Sequence, residues 1–393
     1  MPENTINQRL KQDWNPTSDE VLRDQRAAYD ALRERCPVAW SDFLGWSLFR
    51  HQDVARVLND PATFSNVVST HLSVPNGMDA PEHTGYRRII EAYFEPKPVA
   101  AFEPQCRQIA ASLARSLQGR GEVELISEFA EPFAVRVQCA FLGWPAQLHE
   151  PLRSWTQKNR AASLAQDRAA LAALSSEFRD YVDELLQSRR ATGAQKRKHA
   201  PDDIVASLLR QQVDGRPLQD DEIVSILRNW TVGEVGTMAA AVGILAEHLC
   251  RHADLQQRLR NELALLPEAI EEILRLHGPL VNNRRTTTCP VQIGGRRIDA
   301  GERISLNWIA ANRDARVFDD ADAFRLGRDP AANLLWGAGI HVCPGAPLAR
   351  MELRLALQEL LGHTRCLRLV PDRPPTTAVY PASGFATLPL ASQ

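Results

Sequence analysis

The chain has 393 residues, 44% of them hydrophobic and 24% charged, with a formal net charge of −2. That length supports a large core, and the near-neutral balance excludes a global field drawing the protein to nucleic acid or an anionic membrane. The seven cysteines form no C-x-x-C pair, which argues against a disulfide framework or a zinc site and fits a reducing cytoplasm.

The N-terminal stretch MPENTINQRLKQDW is polar and carries no targeting pattern. A helical period covers 24–35 and stops before Pro37. Residues 38–43 and 46–49 read as a hairpin turning at Leu44-Gly45, and 51–58 as a helix. The stretch 65–81 is rich in Ser, Asn and Pro and has no period; it reads as a long ordered loop, a kind of segment that usually carries function. A helix resumes over 82–94, placing His83 and Arg87 four apart on one face, where alone they would read as a solvated pair.

From 102 to 190 the pattern is nearly all helical, broken at 119–121, at Gly143-Trp144-Pro145 and near Asp167. A basic connector follows at 189–199; its ordinary reading is a solvated loop, its sharper one a docking patch for an acidic electron donor. Helices are expected again at 202–212 and 220–249. The longest apolar run, 238–246, is too short to span a bilayer. In the long helix Gly233, Gly236 and Thr237 weaken the propensity, as where a helix bends to hold a ligand or water. Glu234 lies three residues before Thr237. The helix 267–276 carries Glu272 and Arg275 three apart, a spacing worth little on a surface. After Pro279 the composition turns strand-like at 284–288, 291–298 and 303–307, and further strands are expected over 367–390.

The stretch 334–350, LLWGAGIHVCPGAPLAR, holds Cys343 in a glycine-rich loop at the mouth of a helix. Gly337, Gly339 and Gly345 allow positive φ or close approach, and helix N-terminal N–H groups favour a thiolate. A thiolate so placed suits a nucleophile or a single metal ligand. The spacing Trp336-Gly337-x-Gly339-x-His341-x-Cys343-Pro344-Gly345 resembles the cysteine loop of the cytochrome P450 family, the haem-thiolate monooxygenases. Trp336 stands where the family usually has Phe, Pro344 where an aliphatic residue is common, and Asn333 where a histidine is usual.

The resemblance implies a mainly α fold with a smaller β-rich region at about 36–50, 280–310 and 366–390, one domain over 1–393. Haem b would lie between the long helix and the cysteine helix. Cys343 would be the metal ligand, within a loop formed with Trp336, Gly337 and Gly345, and His83, Arg87, Arg285 and His341 would clamp the propionates. Thr237 would serve oxygen activation. Gly236 occupies the family's usual acid position, so Glu234 would supply protons from a shifted place; that arrangement resembles a bacterial subgroup often fused to a reductase. Glu272, Arg275 and Arg328 would hold the cysteine loop. The pocket is expected to take in Val232, Gly233, Leu280, Val281, Asn282 and Phe385, with the 65–81 loop and the helices around Trp155 and Phe178.

The implied reaction is insertion of one oxygen atom from O2 into a small or medium, largely apolar organic substrate with a polar handle. With no flavin or iron–sulfur module in the sequence, electrons would come from a ferredoxin and its NAD(P)H-dependent reductase. No nucleic-acid or membrane partner is expected. Two rivals are a peroxide-driven haem-thiolate enzyme, which the glycine at position 236 favours, and a non-catalytic haem sensor or carrier, which Thr237 disfavours.

Overall fold

The computed structural model describes residues 11–194 and 203–392. Its central element is the helix Asp220–Arg251, which packs against Glu131–Leu142, Arg168–Ala194, Leu266–His277 and Ala346–His363. The helix begins in a reciprocal cap between Gln219 and Glu222, and Asp220, Asp221 and Glu222 complement its dipole. It runs unbroken through Gly233 and Gly236. By length and composition it could cross a bilayer, but 72% of its most apolar window is buried inside the protein. Gly243 is needed for packing: a Cβ there would stand 2.7 Å from Ile126 Cδ1, in the π-helical turn Ile126–Ala130.

A five-stranded sheet forms the smaller β region. Its order is Val38–Ser41, Gly45–Leu48, Arg303–Asn307, Asn282–Thr287 and Phe64–Ser65. The N-terminal hairpin is as expected, with Trp40 opposite Trp46. Arg285 is registered against Ile304 near the middle of this sheet, while Ser65 pairs with Thr286 at its edge, so the 65–81 loop leaves beside Arg285. The hairpin Val291–Ile293 with Arg296–Ile298 stands apart.

Three expectations need correction. The C-terminal strands do not join that sheet: Pro389–Ser392 pairs with Leu367–Leu369 and with Gly121–Glu124. The segment expected as a helix over 202–212 is helical only at Ile204–Leu208 and then turns through a small hairpin at Gly215. The start of the basic connector, 189–194, continues the helix Arg168–Ala194 and is not a loop; Arg189 and Arg190 there are ion-paired with Asp203 and Asp220, and residues 195–199 lie outside the described residues. Trp155 and Phe178 are both buried, 4.9 Å apart, and Trp155 donates its indole N–H to the Leu174 carbonyl.

Where the long helix ends, His248, His252 and His277 stack together; the rings of His248 and His252 are 4.1 Å apart and His277 Nδ1 contacts Arg26 at 2.7 Å. Burial, then neighbouring positive charge, lowers His248 to about 4 and His277 to about 3. An unfolded chain takes up these protons below about pH 6.5, whereas the native one resists down to 3–4. Stability contributed by each neutral ring is therefore lost as pH falls through that window, by about 1.4 kcal/mol per pH unit per histidine. Urea unfolding at pH 7 and pH 5 should show this fall, and His248→Gln should reduce the slope; an unchanged slope would exclude His248 as a contributor.

Candidate functional site

The cysteine loop is held by charge and shape. Glu272 and Arg275 are buried, and Arg275 meets the carboxylate with two bonds of 2.7 and 2.9 Å. Arg328 Nε adds a third at 2.9 Å. Burial alone would raise the Glu272 pKa, but Arg275 and Arg328 outweigh it and hold the carboxyl low. Arg275 also donates to the carbonyls of Asn312 (2.7 Å) and Ala321 (2.9 Å), and Asn312 Oδ1 accepts from Leu334 N–H at 2.8 Å. The triad thus fastens the helix Leu266–His277 to the strand of chain entering the loop.

Trp336 adds a second fastening. Its indole N–H bonds both Glu271 oxygens at 2.9 and 3.0 Å, and Arg350 binds Glu271 at 2.7 Å while its guanidinium lies 4.9 Å from the indole. A phenylalanine could not make the Glu271 bond. Asn333 caps the loop through Leu335 N–H at 2.9 Å. Cys343 N–H donates to the Trp336 carbonyl at 2.8 Å. Gly337 and Gly339 have φ of +74° and +68°, and a Cβ on Gly339 would collide with the Leu58 carbonyl. Gly345 differs: its φ is −81° and a Cβ would meet only ordinary contact with Phe94.

At Cys343 burial pushes the thiol up, against the pull of the Gly345 and Ala346 N–H groups. The helix-mouth N–H groups pull toward the thiolate as expected, and desolvation opposes them.

A cluster of positive and donor groups surrounds the loop's near side. The His83 and His341 rings are 4.3 Å apart, and the Nε2 atom of each is buried without a partner. Burial, then the neighbouring His83 and Arg285, lowers His341 to about 3, and burial followed by Arg87 lowers His83. Arg285 is 5% exposed, is lowered to about 10 by burial, and donates only to the adjacent Arg284 carbonyl (2.8 Å). Arg87 is buried and pairs with Glu91 at 2.7 Å. The nearby Asp79 is engaged by Asn66 N–H (2.9 Å) and the Ser65 hydroxyl. Two unpartnered imidazoles and a buried guanidinium suit an anionic ligand with two carboxylates.

On the opposite side, the 65–81 loop is ordered by the long helix: Ser225 Oγ accepts from Val74 N–H at 2.8 Å and Asn229 donates to the Val74 carbonyl at 2.9 Å. Val232 and Leu280 are exposed, at 47% and 38%, as apolar lining of an open space would be. Gly233 is exposed and Thr237 and Phe385 are half-buried. Asn282 Oδ1 receives the Tyr380 hydroxyl at 3.4 Å. Val281, expected in the pocket, is instead a core residue, 2% exposed and packed in a cluster with Leu44, Ile309 and Tyr380. Glu234 Oε1 is buried and unpartnered. Arg160, not anticipated, brings Nη2 to 3.4 Å from where a Cβ on Gly236 would stand. Glu271 was equally hidden in the sequence, because its partners Trp336 and Arg350 lie far along the chain.

The cytochrome P450 family profile matches residues 160–389. The erythromycin C-12 hydroxylase of Saccharopolyspora erythraea is 32% identical over 91% of this chain and 92% of its own. The cyclomarin C epoxidase of Salinispora arenicola is 31% identical over 87% of each. Among solved structures, CYP109E1 from Bacillus megaterium in complex with testosterone superposes with a TM-score of 0.83 at 26% identity, covering 94% of this chain and 99% of that one.

Replacing Gly339 with alanine should displace the loop from the Leu58 carbonyl and lower stability by about 2 kcal/mol or more, read by thermal unfolding. Arg285→Ala with His341→Ala should speed transfer of a bound dianionic porphyrin to apomyoglobin at least about tenfold, the loss of two charged contacts; an unchanged transfer rate would remove those residues from the anion site.

Proposed function

The chain belongs to the cytochrome P450 family, and from that premise we propose how its own residues serve the reaction. The protein is a haem b monooxygenase acting on an organic substrate with O2 and redox partners. Bound through Cys343, the haem supplies activation of dioxygen and transfer of one oxygen atom to a substrate C–H bond. The balance is substrate, O2, two electrons and two protons in, oxygenated product and water out.

Supporting this reading is the cluster of Arg87, Arg285, His83 and His341, in which the Nε2 atoms of both histidines are buried without a partner. His83, Arg87, Arg285 and His341 would bind the two propionates, which supply the anions this cluster lacks. Bound carboxylates would in turn raise the two histidines, since opposite charge favours the charged ring. Glu272, Arg275 and Arg328 would keep the sulfur in register, and Trp336, Gly337 and Gly345 would shape the loop around it. On the distal side Thr237 would hold a proton at Oγ1, and Glu234 would renew it from the adjacent turn. Gly236 would leave room beside Arg160 where a side-chain acid would otherwise stand.

Val232, Gly233, Leu280 and Phe385 would present an apolar wall, with Asn282 as the polar contact, suiting a small or medium apolar substrate with one polar handle undergoing hydroxylation or dealkylation. The relatives named for erythromycin and cyclomarin C oxidation support an organic natural-product scale of ligand. A ferredoxin with its NAD(P)H-dependent reductase is the proposed donor, acting in the cytoplasm. The chain would work as one catalytic unit over 1–393. Gly236 favours a second reading, peroxide-driven turnover, because peroxide already carries the needed protons and electrons.

Thr237→Ala and Glu234→Gln should each keep the cofactor yet lower product per NAD(P)H by about tenfold or more, with H2O2 released instead. Product yield and H2O2 are measured together with a ferredoxin system and with H2O2 alone. Full coupling in both variants would refute the distal assignment, and faster turnover with H2O2 alone would favour the peroxide reading.

A further inference from the structure

The helix His149–Ala165 buries Leu152, Trp155 and Ala162 and crosses the long helix Asp220–Arg251. Two other cations on it have carboxylate partners: Arg153 binds Glu131 at 2.9 Å, and Lys158 lies 3.9 Å from Glu177. Arg160 differs. It is half-buried, and among the described residues its guanidinium has neither an ion pair nor a hydrogen bond. A long cationic side chain on a helix ordinarily carries its head outward to water. Here Nη2 is directed at the long helix, 3.4 Å from where a Cβ on Gly236 would stand.

The face of the long helix beneath that guanidinium is open. Val232 and Gly233 are exposed, and Gly236, Thr237 and Ala240 are half-buried, at spacings that share one side of a helix. A Cβ on Gly233 would meet no atom within 4 Å. The acid in this turn, Glu234, lies by Glu352 of the helix Ala346–His363 instead. The open face is therefore apolar apart from Thr237, and the cation beside it has no counter-charge.

We propose that Arg160 anchors a substrate carboxylate over Gly236, so that the substrate class is an organic acid whose hydrocarbon part lies along Val232 and Gly233. This rests on the monooxygenase reading and turns its polar handle into an anion. A guanidinium stays charged at any working pH, and its planar fork meets a carboxylate with two parallel bonds. A neutral handle would displace water from the cation and leave the charge unmatched, whereas an anion removes that cost and gains from the lowered dielectric. Glycine at position 236 is what admits the guanidinium. A longer side chain would fill its place, and an acidic one would neutralise it.

The test uses the full-length holoenzyme as wild type, Arg160→Gln, Arg160→Glu and Gly236→Asp. The probes are pairs matched in shape and different in charge: 4-tert-butylbenzoate with its amide, and decanoate with decanamide. The cationic counterpart is 4-tert-butylbenzylamine. Affinities are read by calorimetry and by the ligand-induced change in haem absorption. In the wild type at least one carboxylate should bind about tenfold or more tighter than its amide. Arg160→Gln should abolish that preference by weakening the carboxylate while leaving the amide within about twofold. Gly236→Asp keeps the arginine but gives it an internal counter-ion, and should weaken the carboxylate likewise. Arg160→Glu should turn the preference toward the benzylamine, which a merely structural role for Arg160 would not do, because it would lower every ligand alike.

A wild type that binds neither carboxylate, or binds both no tighter than their amides, would overturn the proposal, as would a preference that survives in Arg160→Gln. The Arg160 and Gly236 variants sit on different helices, so poor folding of one leaves the other to decide. Failure of the monooxygenase reading would look different: the reduced wild type under CO would then lack a Soret band displaced far to the red, whereas failure of carboxylate recognition leaves that band in place.

Discussion

The fixed place of the Cys343 sulfur, half-buried at the mouth of the helix Ala346–His363, is the constraint on which the rest of the structure depends. The interior raises the thiol, and the two N–H groups at the helix mouth only partly offset this. The loop presents that sulfur at a fixed place. Three independent fastenings provide that fixity: the Glu272–Arg275–Arg328 triad behind the loop, the Trp336–Glu271–Arg350 contact at its side, and the close seat of Gly339 on the Leu58 carbonyl. The first is a buried ion pair whose net contribution to stability is modest, but it spans elements that would otherwise be linked only by an irregular chain. Its value lies in fixing where the loop can go.

Charge is distributed unevenly around that sulfur. One side gathers Arg285, Arg87 and two imidazoles with unpartnered Nε2 atoms against only Glu91 and Asp79, while between the long helix and the cysteine helix Glu234 Oε1 and both Glu352 oxygens are buried without a partner. Both arrangements are costly in an empty core. Each becomes reasonable once its missing complement is supplied: two propionates for the first, a retained proton for the second. The same low dielectric that makes them costly makes them strong when satisfied.

The sequence carried the loop plainly, because Trp336, the glycines and Cys343 are close in the chain and each has a local stereochemical reason. The hairpin at 38–49 and the ordered 65–81 loop were legible for similar reasons. What stayed hidden depends on distant partners. Nothing local marks Gly121–Glu124 as a strand; it forms because Pro389–Ser392 lies alongside. Val281 reads as a pocket residue by position, but its side chain sits in a packed cluster. Thiolate character was inferred from the helix mouth, whose Gly345 and Ala346 N–H groups do act on the sulfur, while the opposing desolvation is not legible in sequence. Glu271 and Arg160 have no motif of their own, and only the fold brings them to the site.

The central claim is that Cys343 ligates haem iron through sulfur. The visible spectrum of the dithionite-reduced protein under CO tests it most directly. A Soret band displaced far to the red, lost on Cys343→Ser, is the result the account predicts. A band at the position typical of histidine-ligated haem, or one that survives the Cys343 substitution, would contradict it.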